Sequence, residues 1–273
     1  MKLSRLFVYP VKSLAGIELT EAEVDAFGIV NDRRWLVVDE NGEFFTQRDY
    51  PRMALIQPRV VDGGLRLSTP GMSVLNVEVP TGCERTVRIW DDVVSAYDAG
   101  APAREWISAF LGRPAGLVYM PDSTFRRVDP RYSPDERRVS FADAYPFLII
   151  SQESMDELNR RMDKPLGIER FRPNIVIEGA AEPHAEDTWT RIRVGSLDFD
   201  LVKPCARCAI PTVDPLTAET GKEPTRTLAT YRKHDGKVWF GMNALHRSKG
   251  SLSVGSAVSI AEAATPIGGH NGS

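Results

Sequence analysis

Two cysteines three residues apart, in Lys203-Pro204-Cys205-Ala206-Arg207-Cys208, are the residues of this 273-residue sequence best suited to chemistry. Thiolates bind soft metals, attack electrophiles and exchange with disulfides, and three functions compete for the pair. A zinc half-site needs two further ligands. Only Cys83 and the scattered His184, His234, His246 and His270 remain, none paired at ligand spacing. A thioredoxin-like dithiol should open a helix, yet Ala209-Ile210-Pro211-Thr212-Val213-Asp214-Pro215 is β-branched and broken by proline. A single thiolate, as ligand or nucleophile, has Arg207 beside it and Lys203 near it to favour the charged sulfur. Two inert buried cysteines are the plain structural alternative.

The pair follows an alternating segment, Leu197, Phe199 and Leu201, which reads as a strand whose end presents the cysteines. From Leu3 to about Trp90, short β-rich runs alternate with turns. Trp35-Leu36-Val37-Val38 and Phe44-Phe45-Thr46 flank Asn41-Gly42, which suits a type I′ hairpin. Pro102 precedes Trp106, Ile107, Phe110 and Leu111, a helical stripe that stops at Gly112. Pro121 to Arg138, rich in Arg, Asp, Pro and Ser, reads as a long connection between two folding units. Beyond it, Phe147-Leu148-Ile149-Ile150 is a strand, and Ser151 caps a helix carrying Met155, Leu158 and Met162. Further strands are expected at Ile175-Val176-Ile177 and around Leu252 and Val254, while Trp35 and Trp189 suit packing. The chain is thus expected to be mainly β with a few helices (α+β), in domains 1–120 and 121–262. Its breaker-rich tail, 263–273, is expected to be disordered.

With 42% hydrophobic and 26% charged residues, the composition excludes a disordered chain and a fibrous repeat. The net charge of −3 supplies no field for coating a phosphate backbone, so no nucleic-acid partner is expected. Apolar runs such as 67–77 and 251–261 fall short of the ~18 residues of a spanning helix, so no membrane partner is expected either. Met1-Lys2-Leu3-Ser4-Arg5 leads into Leu6-Phe7-Val8-Tyr9 with no long apolar leader, and three cysteines suit a reducing compartment. Both point to the cytoplasm.

Cys205-Ala-Arg-Cys208-Ala-Ile-Pro-Thr-Val-Asp214-Pro215, with Phe171-Arg172-Pro173-Asn174-Ile-Val-Ile and Phe240-Gly241-Met242-Asn243, resembles the MOSC domain, the molybdenum cofactor sulfurase C-terminal type. Tyr9-Pro10-Val11-Lys12-Ser13, Asp32-Arg33-Arg34-Trp35 and Phe141-Ala142-Asp143 ahead of Pro146-Phe147-Leu148-Ile149-Ile150-Ser151 extend the likeness. Together they resemble the two-part family of the amidoxime-reducing component and the bacterial N-hydroxylaminopurine reductases, over roughly residues 1 to 262.

The resemblance implies an N-terminal β-barrel-like domain followed by a MOSC β-barrel domain that binds molybdenum cofactor (Mo-molybdopterin). It places Cys208, and not Cys205, as the metal's thiolate ligand. Lys12, Ser13, Arg33, Arg172 and Arg207 are then the candidates for the cofactor's phosphate and pterin, and Asp143 for the pterin edge or a turn cap. Asn174 shares a strand face with Arg172 and could point at the metal's open position, or cap a turn. Asp214 is a catalytic candidate beside Cys208, or a turn cap before Pro215. Pyridoxal phosphate binding is a further term of the family, with no residue here to offer for it.

The function implied is a molybdenum-dependent oxidoreductase acting on small N-hydroxylated substrates: amidoximes, hydroxylamines or N-hydroxylated nucleobases. The metal would be Lewis acid and electron source. Three cysteines cannot hold a cluster by four thiolates, so electrons would come from a separate donor protein carrying flavin plus iron-sulfur or haem. The alternative is a carrier that holds molybdenum cofactor, or a persulfide sulfur on Cys208, and delivers it to another enzyme.

Overall fold

A computed structural model describes residues 1–133 and 135–263. The tail expected to be disordered lies, past its first residue, outside the described residues. Strands dominate, with α-helices at Ala101–Leu111, Gln152–Arg160 and Thr225–Leu228, so the fold is mainly β with a few helices, as the sequence suggests.

The largest sheet has nine strands. Its main path runs Val258–Ala263, Trp189–Val194, Leu197–Ala206, Lys237–His246, Phe147–Ser151, Ile175–Glu178, Lys2–Val8 and Ile17–Leu19, and Lys233–His234 pairs at the side. All neighbours on the path are antiparallel except Phe147–Ser151 and Ile175–Glu178. That parallel pair needs a crossover, and the helix Gln152–Arg160 supplies it, capped by Ser151, whose side chain accepts from Ser154 N at 3.2 Å. The sheet curls back on itself. Leu3 N donates to Ser256 O (2.9 Å), Gly255 N to Leu3 O (2.8 Å) and Val258 N to Met1 O (2.9 Å), so the start of the chain meets the last strand.

The inside of the curl is filled by Leu3, Leu6, Phe147, Ile149, Ile175, Trp189, Phe199 and Met242, all buried. On the outer side Phe7, Ile150 and Val176 pack with Met155 and Leu158 of the crossover helix. Phe147–Ser151 is therefore buried on both faces, which is why it reads as a continuous apolar run.

The chain between has its own core. Trp35–Val38, Gly116–Tyr119, Asp92–Asp98 and Glu84–Ile89 form a four-stranded sheet, and Gln57–Val61, Gly64–Ser68 and Leu75–Glu78 a three-stranded one. Trp35 packs there with Ile107 and Phe110 of the helix Ala101–Leu111, which ends at Gly112 in the left-handed conformation, φ 69°.

Two local expectations change. Asn41-Gly42 does turn the chain, but only Gly42 has positive φ (82°), so the turn is not type I′. Asp39 Oδ1 accepts from Asn41 N (2.8 Å) and Glu43 N (2.9 Å) and sets a wider loop instead. The Pro121 to Arg138 stretch is no bare connection either. Val128 is fully buried, and Arg126, 4% exposed, donates to Ser140 O (2.9 Å), Ala142 O (2.6 Å) and Asp143 O (3.1 Å) and pairs with Asp92 (2.7 Å).

Candidate functional site

Strand ends and tight turns from both halves of the chain meet at one cleft with a cavity volume of about 110 Å³. The strand Leu197–Ala206 delivers Cys205 at an irregularity in its pairing with Lys237–His246, and Cys208 follows just past the strand end. Across that irregularity Gly241 takes φ 79°, where a Cβ would stand 2.7 Å from Ile150 Cγ1 and 3.0 Å from Ile149 O, so glycine is required there. Asn243, two residues on, pairs with Leu148 in register, and both line the cleft.

Of the sequence candidates, Lys12, Ser13, Arg33, Asp143, Arg172, Arg207 and Cys208 all line this cleft. Ser13, Arg33 and Arg172 hold left-handed backbones, φ 65°, 48° and 57°, a conformation costly for non-glycine residues and concentrated at functional sites. Their turns are braided together. Arg33 N donates to Tyr9 O (2.8 Å), Lys12 N to Trp35 O (2.9 Å) and Phe141 N to Arg33 O (2.9 Å).

Lys12 is buried, and its Nζ donates to Phe141 O (2.9 Å) and to Asp143 Oδ1. Burial pushes its ammonium down to about 8 against the pull of Asp143. Burial would raise the Asp143 carboxyl, but Lys12, Arg48 and Arg33 outweigh it and hold the group below the usual carboxylate range. Arg33 Nη1 donates to Asp32 Oδ2 (2.6 Å) and Asn174 Oδ1 (3.0 Å), and its guanidinium lies 4.4 Å from the Tyr9 ring centre. Arg172 stacks on the same ring at 4.2 Å and donates to Leu14 O (2.6 Å). Burial, then the charge of Arg33, push its guanidinium down to about 10.

Arg207 attends Cys205, not Cys208: its Nη1 stands 3.1 Å from Cys205 Sγ, and its Nη2 donates to Phe171 O (2.8 Å). Burial nonetheless pushes the Cys205 thiol up, with Arg207 pulling against it. Lys203 turns away and lies 4.9 Å over the Tyr132 ring. Of the two cations expected to favour a thiolate, Arg207 thus meets the sulfur of Cys205.

Asn174 and Asp214 are not on the lining. Asn174, 1% exposed, lies beneath it: its Oδ1 also accepts from Leu148 N (3.2 Å) and its Nδ2 donates to Phe7 O (3.3 Å). Asp214 caps a turn, accepting from Leu216 N (2.8 Å) and Thr217 N (3.2 Å), and pairs with Arg170. Sequence reasoning missed Thr46, Arg48, Tyr145 and Asn243 on the lining. It also missed Asp32, which accepts from Tyr9 N (2.9 Å), and Arg126, which ties the Asp143 segment. Only Asp32 and Asn243 fall within the quoted motifs; the others carry no local pattern.

Five cations, Lys12, Arg33, Arg48, Arg172 and Arg207, surround the cleft against the single lining carboxylate of Asp143. Arg172 Nη2 and Arg207 Nε are buried without a hydrogen-bond partner among the described residues. A buried unpaired N–H costs ~1–3 kcal/mol, and an anionic oxygen would remove that cost. A cleft of this charge with two thiols, Cys205 and Cys208, on its wall fits a phosphate-bearing, soft-metal cofactor. Among the described residues, no three His, Cys, Asp or Glu side chains group to hold a metal by themselves, and no helix is long and apolar enough to cross a membrane.

Two family models match the chain in succession. The MOSC N-terminal beta barrel domain matches residues 1–114 and the MOSC domain residues 136–259. Mitochondrial amidoxime-reducing component 1 of Homo sapiens is 34% identical over 94% of this chain and 82% of its own length. The Xenopus laevis protein of the same name is 34% identical over 86% of this chain and 73% of its own. Molybdenum cofactor sulfurase of Danio rerio is 32% identical over 94% of this chain, which spans only 34% of that longer protein. No finding supports pyridoxal phosphate, and the mitochondrial relatives give no support to a cytoplasmic location.

Proposed function

From the premise that the chain belongs to the MOSC family, whose N-terminal barrel and MOSC domain together span most of it, we propose a molybdenum-cofactor-dependent reductase of small N-hydroxylated compounds. One observation supports the reading: Cys208, Cys205 and five cationic side chains line one cleft, and two of those guanidinium groups carry a buried N–H without an acceptor among the described residues. Arg33, Arg172 and Arg207 would hold the cofactor's phosphate and pterin, with Ser13 beside them and Cys208 as the thiolate ligand. Bound there, molybdenum dithiolene would supply electrons and a Lewis acid.

Reduction of N–OH to N–H takes two electrons and two protons and releases water. Lys12 Nζ is suited to hold one of those protons, because burial brings it to about 8 while Asp143 accepts its hydrogen bond. Asn174 and Asp32 act indirectly by fixing the Arg33 guanidinium. Asp214 is proposed as a turn cap that shapes the loop beyond Cys208. Electrons would arrive from a separate flavin and iron-sulfur or haem protein.

The similarity to molybdenum cofactor sulfurase favours a second reading, a carrier of cofactor or of sulfur on Cys208. Protein made in a host that synthesises the cofactor should contain about one molybdenum and one pterin per chain, and should reduce benzamidoxime with an artificial electron donor. Molybdenum without any turnover favours the cofactor carrier, and a persulfide without molybdenum favours the sulfur carrier. Stoichiometric zinc without molybdenum removes both molybdenum readings.

A further inference from the structure

Trp90 is a large aromatic residue left 41% exposed. With Asp91 it joins the strands Glu84–Ile89 and Asp92–Asp98, and its backbone is left-handed, φ 56°. That conformation suits glycine or asparagine and is strained for a bulky side chain, so the turn itself gives no reason for tryptophan. The ring is nonetheless held. Phe44 meets it edge-on, with centroids 5.0 Å apart and planes at 63°, and the Arg48 guanidinium lies 4.7 Å from its centre. Lys12 Nζ lies 6.0 Å from the same centre. Arg48 and Lys12 both line the cleft, and both meet Asp143, Arg48 at 3.7 Å. The indole therefore stands beside the cleft, fixed against its cations and open to solvent.

Resting on the reductase reading above, we propose that Trp90, braced by Phe44 and Arg48, is the platform on which the planar ring of an aromatic substrate stacks. An aryl N-hydroxylated compound gains a π-face contact there that an alkyl one lacks. The guanidinium groups of Arg33 and Arg172, the cofactor's candidates, stack on Tyr9 and not on Trp90, which leaves the exposed indole to the substrate rather than to the cofactor.

The test compares molybdenum-loaded native protein with Trp90→Ala and Trp90→Phe, using benzamidoxime and acetamidoxime. The kcat/KM preference for benzamidoxime should fall about tenfold in Trp90→Ala, through KM rather than kcat, and be largely kept in Trp90→Phe. A preference within about twofold of native in Trp90→Ala overturns the proposal. Calorimetric titration of benzamidoxime reads the contact without turnover, and Trp90→Ala should bind about tenfold more weakly. If native protein reduces neither compound yet binding still depends on Trp90, the platform stands and the reductase reading falls. Equal binding by native protein and Trp90→Ala, or none by either, overturns the platform.

Discussion

Cys205 and Cys208 differ in what surrounds their sulfurs, and that difference makes each a control for the other. Both line the cleft, but Cys205 Sγ is an acceptor for Arg207, whereas Cys208 stands past the strand end. Under the proposed function Cys208→Ser would exchange a soft, acidic ligand for a hard and scarcely acidic hydroxyl, so reductase activity should fall by orders of magnitude. Cofactor should remain, because the proposed arginine contacts would not depend on the sulfur. Cys205→Ser keeps an acceptor for Arg207 and should cost ~1 kcal/mol or less, with most activity preserved. Turnover and molybdenum content of the two variants check this, and equal loss in both would point back to a dithiol. The cysteines were legible because two thiols at close spacing are rare. Arg48 was not, because one arginine in a chain with 26% charged residues carries no signal until the fold sets it beside Asp143 and Trp90.

The segment from 121 to 138 shows how an element without periodicity can serve a site. Arg126 sits inside it, and its guanidinium ties the carbonyls of Ser140, Ala142 and Asp143 while pairing with Asp92. Arg126→Ala strands buried carbonyls and should destabilise the fold by about 3 kcal/mol, seen as a lower denaturant midpoint with little change in slope. Arg126→Lys reaches fewer carbonyls and should fall between native and alanine. A midpoint unchanged in Arg126→Ala would show that the segment is not braced by this side chain. Strands such as Phe147–Ser151 were readable because burial on both faces writes a continuous apolar run. The 121–138 stretch was not, since buried arginines satisfied by carbonyls look like solvated charge in sequence. Asn41-Gly42 misled in type for a related reason: the side chain of Asp39, two residues earlier, decided the turn.

At the scale of the whole molecule, the first strand belongs to the last sheet. Lys2–Val8 pairs with Ile175–Glu178, and Leu3, Leu6, Val24 and Ile29 help fill the core of the curled sheet. Residues 121–263 expressed alone should therefore lack a cooperative thermal transition by circular dichroism, and mixing with residues 1–120 should restore one. A cooperative melt of the isolated segment would show that it folds without that strand. No local pattern announces such a pairing, because hydrophobic alternation tells which face is buried and not which distant strand lies beside it. The same pairing has a price in time during synthesis. At ~5–20 residues per second, the ribosome needs roughly ten to thirty seconds to deliver the partner of the first strand after that strand has emerged. For that interval Leu6, Phe7 and Val8 have only the short strand Ile17–Leu19 to pair with and no completed sheet core to join. Their substitution should act mainly through the yield of folded chains, sensitive to chaperones and growth temperature, with native chemistry in each molecule that survives.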